Sequence, residues 1–228
     1  MRRYVLAGAI LVLALGPVSA ARAATHDVQA QGNVFTGGLA FSPAAIDAAI
    51  GDTVRWTNTD FAVPHTATED HDLWRLTGSY GETPANPPGF GPGMSVERTF
   101  EAGTAHYYCE VHPQQMKGTI TVPVQLTASR RLGPKPKRRR GHRRKRRKVL
   151  TTVHATWASA APAAGQGFDV QVRQSGGDWR TLRDGTMDSA ADFDGGRPGT
   201  GWDVRARLRS LSDAKKAEDY SPPASVTT

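Results

Sequence analysis

Apolar and polar residues alternate in several short runs of the N-terminal half. In "DTVRWTN", Val54 and Trp56 fall on one side of the chain and Arg55 on the other, and "MSVERTF" and "GTITV" repeat the pattern. A period of two residues is typical of a strand with one buried face. Clusters of Gly, Pro, Asn and Asp separate the runs. Short strands at this spacing predict an antiparallel β-sandwich or barrel over residues 24–125.

The C-terminal part shows the same alternation. In "FDVQVR" and "WDVRARLR" every second residue is apolar, and arginines and aspartates stand between them. This pattern predicts strands with one face towards a core and the other towards water. We therefore expect an all-β chain of two domains, with the second β-sandwich over residues 149–228.

A strongly basic segment lies between these two parts. Residues 130–148 contain 13 Lys/Arg and no acid, whereas residues 24–125 contain 11 acids and four bases. A block of like charge with few apolar residues cannot bury enough surface to offset its ordering entropy. We interpret residues 126–148 as a disordered basic linker between an acidic and a near-neutral domain.

The linker has three possible roles. It could be a solvated spacer, or it could fold over the acidic first domain. It could also bind a polyanion outside the cell, such as an anionic wall polymer or lipid head groups. Nucleic acid would bind such a run without sequence preference, but an exported chain rarely meets it.

The N-terminus predicts export. Arg2 and Arg3 precede an apolar run, and Ala21-Arg22-Ala23 forms a cleavage site, so residues 1–23 have the features of a secretory signal peptide. The apolar run is shorter than the roughly 20 residues that span a bilayer, so we expect no membrane anchor in the mature chain. Outside the cytoplasm a single cysteine, Cys109, indicates an intermolecular disulfide, a reactive thiol or a metal ligand.

The surroundings of Cys109 favour the metal ligand. The spacing C-x-x-H-x-x-x-M places His112 and Met116 on the same loop between two predicted strands. A thioether is a poor zinc ligand, whereas copper accepts a trigonal His2Cys set with a weak axial methionine. The second histidine must come from another strand, and His65, just after Pro64, suits that role. Taken singly, each of these residues could be structural.

These segments resemble the cupredoxins, in particular the plastocyanin, amicyanin and pseudoazurin group. The resemblance covers about residues 28–124 and is strongest in "AVPHTAT" and "HYYCEVHPQQMKGTITV". It implies a Greek-key β-sandwich or barrel and one type 1 (blue) copper ion, with His65, Cys109, His112 and Met116 as its ligands. Three residues separate His112 from Met116, a spacing between those usual in plastocyanins and amicyanins.

The resemblance also implies a function. A blue copper protein passes one electron between redox partners, here in the cell envelope, through the exposed edge of the second histidine. Phe61, Pro64 and Pro113 would form the apolar patch around that edge. No H-x-H pair, G-x-S-x-G, H-E-x-x-H or P-loop motif occurs, so we expect a carrier and not an enzyme.

Two other functions remain open: copper sequestration without redox partners, and adhesion in the envelope. The second half resembles a fibronectin type III domain, with Trp157 at the position of its early core tryptophan, and such domains are mostly spacers or adhesive units. The acidic residues Glu69, Asp70 and Asp72 are expected to form a solvated loop and not a metal site.

Overall fold

The computed structural model describes residues 23–33, 37–77, 89–134 and 146–228. Regular structure in these segments consists of strands, so the predicted all-β class is confirmed. None of these segments contains a helix long and apolar enough to cross a membrane. The predicted signal peptide lies outside the described residues, apart from its last position.

The first domain is a sandwich of two sheets. Its strands are β1 (Thr25–Asn33), β2 (Gly37–Ser42), β3 (Ala45–Asp47), β4 (Thr53–Asn58), β5 (Ala67–Glu69), β6 (Arg75–Leu76), β7 (Ser95–Thr99), β8 (Gly103–Tyr108) and β9 (Lys117–Val122). One sheet has the order β2-β1-β4-β7 and the other β3-β9-β8-β5-β6. The pairs β1–β4 and β3–β9 are parallel, and the remaining pairs are antiparallel.

An aromatic cluster fills the space between these two sheets. Val54 and Trp56 on β4 are fully buried, as their alternation predicts. The Trp56 ring lies 5.4 Å from the Tyr107 ring and 6.1 Å from each of the rings of Trp74 and Phe100, measured between centroids. Because each such ring buries about 150–250 Å², this cluster supplies much of the apolar burial that fixes β4 against β8.

The second domain is a sandwich of a three-stranded and a four-stranded sheet. Its strands are β10 (Gln125–Leu132), β11 (Val149–Thr156), β12 (Gln166–Gln174), β13 (Arg180–Thr186), β14 (Ala190–Asp194), β15 (Gly201–Ser210) and β16 (Ala224–Thr227). The sheet orders are β10-β11-β14 and β13-β12-β15-β16. In the β12–β15 pair, Phe168 stands opposite Leu208 and Val172 opposite Val204. All four side chains are buried, so the apolar face of both strands forms the core.

The interpretation of residues 126–148 as a disordered linker is wrong for the part that the structure describes. Residues 125–132 form β10, which pairs with β11 over its whole length, from Gln125 opposite Thr156 to Leu132 opposite Val149. The Gly133 N–H then donates to the Lys148 carbonyl at 2.8 Å. The basic segment is therefore the connection of a hairpin within the second domain and does not join the two domains. Residues 135–145 lie outside the described part.

The error has a physical cause. Most side chains of β10 are exposed, because the strand lies at the edge of its sheet and carries polar and charged residues. An edge strand of this kind shows little apolar alternation and resembles a solvated segment in sequence. The backbone hydrogen bonds to β11, which sequence composition does not reveal, order it.

The connection between the two domains is short, and the domains contact each other directly. Only residues 123–124 separate β9 from β10. The Ala102 N–H donates to the Trp157 carbonyl at 2.9 Å, and Thr104 and Asp219 exchange two backbone hydrogen bonds of 2.9 and 3.1 Å. The second domain thus docks on the first through backbone pairing at the start of β8.

A buried carboxyl group lies at this junction. Glu218 of the second domain is 5% exposed, and its Oε1 accepts a hydrogen bond from the Trp74 indole at 3.4 Å. A Cβ atom at Gly103 would overlap Glu218 Oε2, so the carboxyl group occupies space that only glycine leaves open. Burial raises the pKa of Glu218 to about 7, although the nearby Arg98 guanidinium opposes the shift.

This raised pKa predicts that stability falls as pH rises. The folded protein keeps the Glu218 proton up to about pH 7, whereas the unfolded chain releases it near its ordinary value. Between these two pH values the folded state binds more protons, so its free energy of unfolding decreases, by up to about 3 kcal/mol in total. We expect Glu218→Gln to remove this decrease, as measured by denaturant unfolding at pH 5 and pH 8.

The matched control is Asp47→Asn, which changes an exposed carboxylate on β3 of the first domain. It should keep the pH dependence of the wild type. Equal pH dependence in Glu218→Gln and the wild type would contradict the prediction.

Candidate metal centre

The loop between β8 and β9 closes on itself through backbone hydrogen bonds that join Cys109, His112 and Met116. The Cys109 N–H donates to the Met116 carbonyl at 3.0 Å, and the Met116 N–H donates to the His112 carbonyl at 3.0 Å. The His112 N–H donates to the Cys109 carbonyl at 3.1 Å. These bonds hold the three residues close together at the end of the sandwich where β8 finishes.

His65 reaches the same place from another part of the chain. Its backbone N–H and carbonyl form two hydrogen bonds with Phe90, of 3.1 and 2.8 Å. Two residues later, β5 begins, and its Thr68 pairs with Tyr108 at the end of β8. This register brings His65 beside Cys109, although 43 residues separate them.

Thr66 couples the two ligand-bearing segments. Its N–H points at Cys109 Sγ at 3.4 Å, and its Oγ1 accepts a hydrogen bond from the Glu110 N–H at 2.8 Å. A backbone donor to sulfur stabilises the thiolate, which is the form that binds a metal. Thr66 therefore helps to position the sulfur, a role that the residue spacing did not indicate.

The thiol and two imidazole nitrogens form a compact triangle. Cys109 Sγ lies 3.7 Å from His65 Nδ1 and 3.9 Å from His112 Nδ1, and all ligand atoms lie within 4.8 Å of one another. A metal ion typically binds nitrogen at about 2.0 Å and sulfur at about 2.3 Å. If the angle between these two bonds is about 120°, the nitrogen and sulfur atoms lie about 3.7 Å apart. The two sulfur–nitrogen distances therefore fit one trigonally bound metal ion.

Burial keeps the two imidazoles neutral. It lowers the pKa of His65 to about 4, with a further lowering from the neighbouring His112, and it also lowers the pKa of His112. A metal ligand must carry a lone pair instead of a proton. Both histidines thus meet that requirement at neutral pH, and the lowered values reflect a site with little water around it.

Met116 stands at the end of the same loop and is fully buried. Its backbone bonds to Cys109 and His112 hold it next to both residues. The structure thus brings all four predicted residues to one end of the sandwich and joins three of them, His65, Cys109 and His112, in a ligand triangle.

The other described histidines lie outside this centre, and each has a carboxylate partner. The pairs are His26 with Asp52, His71 with Glu69, His106 with Asp219, and His154 with Asp192. The expectation that Glu69 is solvated is wrong: it is 1% exposed and accepts hydrogen bonds from the backbone N–H groups of His71 and Leu73. Its carboxylate closes a turn, whereas Asp70 and Asp72 are exposed, as expected.

We predict that Gly89→Ala disturbs the centre. A Cβ at this position would lie 2.7 Å from the His65 carbonyl oxygen and 2.9 Å from Pro64 Cβ, so the backbone of His65 must move. We expect a loss of about 1–3 kcal/mol in the free energy of unfolding of the apo-protein, together with weaker Cu(II) binding in a competition titration.

Gly177→Ala is the control, because its nearest contact is 3.2 Å away and lies in the second domain. It should leave Cu(II) affinity at the wild-type value. If Gly89→Ala also kept the wild-type Cu(II) affinity, the close packing of Gly89 against the His65 backbone would not be what positions His65.

Comparison with known proteins identifies the first domain. Residues 28–123 match the family described as copper binding proteins, plastocyanin/azurin family. A purple cupredoxin from Nitrosopumilus maritimus is 30% identical over 42% of this chain and 97% of its own, with a TM-score of 0.32. A Cu(I) structure of an amicyanin mutant is 27% identical over 43% of this chain and 81% of its own, with a TM-score of 0.31.

Copper is the cofactor of this domain, and the triangle of His65, Cys109 and His112 forms its candidate site. Through residues 28–123 the chain belongs to the cupredoxins, in the plastocyanin/azurin family of copper binding proteins.

Proposed function

We propose that the protein is a one-electron carrier with a type 1 copper site. The observation that carries the proposal is the buried triangle of one thiol and two imidazole nitrogens, with sulfur–nitrogen distances of 3.7 and 3.9 Å. Met116, beside it, is proposed as the weak axial ligand. A thiolate, two imidazoles and a thioether together suit copper better than zinc.

Bound copper supplies a one-electron couple between Cu(II) and Cu(I). The protein would provide a rigid binding site for the copper ion, with little water around it. His65 is held by its two bonds to Phe90, and the loop that carries Cys109 is closed by its bond to Met116. Because the backbone holds the donors in place before a metal binds, little rearrangement is required when the charge of the site changes.

His112 is the proposed point of electron exit. It is 6% exposed, whereas His65 and Cys109 are fully covered. Phe61, at 74%, is the most exposed large apolar side chain in the described residues, and Pro113 next to His112 is also exposed. The exposed apolar patch is smaller than the sequence predicted, because Pro64 is buried. A redox partner protein would dock here by its own apolar surface.

We also propose export, a carrier role without enzymatic activity, and a supporting role for the second domain. The N-terminal sequence supports export, and amino-terminal sequencing of the mature protein should begin near Ala24. The sheet orders β10-β11-β14 and β13-β12-β15-β16 support a fibronectin type III-like spacer. Its basic hairpin connection, within residues 130–148, would bind an anionic wall polymer or an anionic lipid surface.

We predict that one equivalent of Cu(II) gives the mature apo-protein an intense blue thiolate-to-copper absorption band. Cys109→Ser should abolish the band, because the hydroxyl cannot supply the charge-transfer donor. Visible absorption during the titration measures both results, and cyclic voltammetry should show a reversible one-electron wave in the wild type only.

Three outcomes would separate the alternatives. Tight copper binding without a reversible wave would favour sequestration, and no tight binding would favour an adhesive role. A blue band that persists in Cys109→Ser would contradict the proposed ligand set.

We predict that neutralising the basic residues from 135 to 145 weakens binding to vesicles that contain anionic lipid. This range leaves β10, β11 and the Gly133–Lys148 bond unchanged, so the domain should remain folded. Cosedimentation at low and high salt measures the loss, and vesicles of neutral lipid are the control. Retention equal to that of the wild type would exclude anchoring through this segment.

A further inference from the structure

The carboxylate of Asp60 is buried, although Asp60 is not one of the predicted copper ligands. Its side chain is fully buried, and within the described residues its Oδ2 atom has no hydrogen-bond partner. The nearest oppositely charged or ionisable group is the His65 imidazole, whose Nε2 lies 3.8 Å from this oxygen. That nitrogen is also buried and has no hydrogen-bond partner in the described part of the chain.

The turn after β4 fixes the direction of this carboxylate. The Asp60 N–H donates to Asn58 Oδ1 at 2.8 Å, and Asp60 Oδ1 accepts from the Ala62 N–H at 2.9 Å. The Asn58 side-chain amide in turn donates to the carbonyls of Val63 and Phe90 at 2.8 and 2.9 Å. One carboxylate oxygen is therefore used by the turn, and the other is left for His65.

Burial of this carboxylate destabilises the folded protein unless its interaction with His65 offsets the loss of water. Removing a carboxylate from water costs several kcal/mol, which a partner of opposite charge must offset. In the described residues no Lys or Arg forms an ion pair with Asp60, and His65 is its one ion-pair partner. A neutral imidazole offsets little of the cost, but an imidazole bound to a metal ion carries more positive charge on its remaining N–H.

We propose that Asp60 is a positioning residue that holds the Nε2–H tautomer of His65 and thereby directs the Nδ1 lone pair at the metal. The proposal rests on the proposed copper site. A proton on Nε2 faces the carboxylate, which leaves Nδ1 as the nitrogen that faces Cys109 Sγ at 3.7 Å. A bound metal ion would draw electron density from the ring and would strengthen the attraction between the Nε2–H and the carboxylate.

The same contact sets a preference between oxidation states. The carboxylate makes the imidazole a stronger donor, and its negative charge favours the metal ion of higher charge. Asp60 therefore stabilises Cu(II) more than Cu(I) and lowers the reduction potential of the site. A residue that served only the turn would change neither the tautomer nor the potential.

Asp60→Asn tests this role, because an Asn side-chain oxygen can still accept the Ala62 N–H while the negative charge is lost. We expect Cu(II) affinity to fall by about 10- to 100-fold, Cu(I) affinity to fall less, and the reduction potential to rise. Competition titrations in both oxidation states and voltammetry measure these changes on the full chain.

The matched control is Asp52→Asn, which removes a second buried carboxylate that contacts a histidine, with a distance of 2.9 Å to His26 Nε2. It lies outside the metal centre and should leave both affinities and the potential unchanged. Affinities and potential equal to the wild type in Asp60→Asn, or equal losses in both variants, would overturn the proposal.

A measurement on the metal-free wild type is independent of copper binding and of the folding of any variant. Nitrogen-15 NMR at pH 7 distinguishes the two neutral tautomers of His65, and we expect Nε2–H. The Nδ1–H tautomer would overturn the proposal even if the blue site forms. Conversely, Nε2–H in a protein that binds no copper would contradict the proposed function and leave the role of Asp60 in fixing the tautomer standing.

Discussion

The closed loop between Cys109 and Met116 is the constraint on which the metal centre depends. Its backbone bonds place two donors, the thiol and the His112 imidazole, at the end of β8. The third donor, His65, reaches them because β5 pairs with that same strand end. The aromatic cluster around Trp56 fixes the two sheets against each other, so that the triangle keeps its dimensions. The site is thus a consequence of sheet register and of the closure of the loop.

Local patterns predicted most of this arrangement. The strands β4, β12 and β15 follow from alternation, and Cys109, His112 and Met116 are recognisable because their spacing lies within one loop. His65 is further away, but the preceding proline and strand indicate it. Asp60 and Thr66 could not be predicted in this way. Their roles depend on which atoms a turn brings against a ligand, and that is a property of the folded chain and not of residue spacing.

Backbone hydrogen bonds account for the two segments that differ from the sequence-based prediction. Charge and composition indicate whether a segment can bury surface, but they do not show whether a neighbouring strand supplies hydrogen bonds. β10 is ordered by its pairing with β11 despite its exposed side chains. Glu69 is acidic and yet buried, because backbone N–H groups replace its water. In both cases backbone hydrogen bonds, which amino-acid composition does not reveal, determine whether the residues are ordered or buried.

Buried carboxyl groups mark the two ends of the first domain, and their different partners indicate different roles. Glu218 reaches the junction from the second domain, and burial raises its pKa to about 7. Asp60, at the other end, faces the His65 imidazole, which would carry more positive charge with a metal ion bound. The second domain contacts Thr104 near the start of β8, and Cys109 follows the end of the same strand. An extended strand of this length separates the two residues by about 17 Å.

The docked second domain therefore leaves the metal end of the cupredoxin uncovered. β10 starts at the junction and runs for eight residues before the basic connection begins, a distance of about 24 Å. Gly133 and Lys148, which a backbone hydrogen bond joins at the end of this hairpin, are therefore separated from the junction by the length of β10. This separation supports the proposal that the basic residues bind an external polyanion while a redox partner docks beside His112.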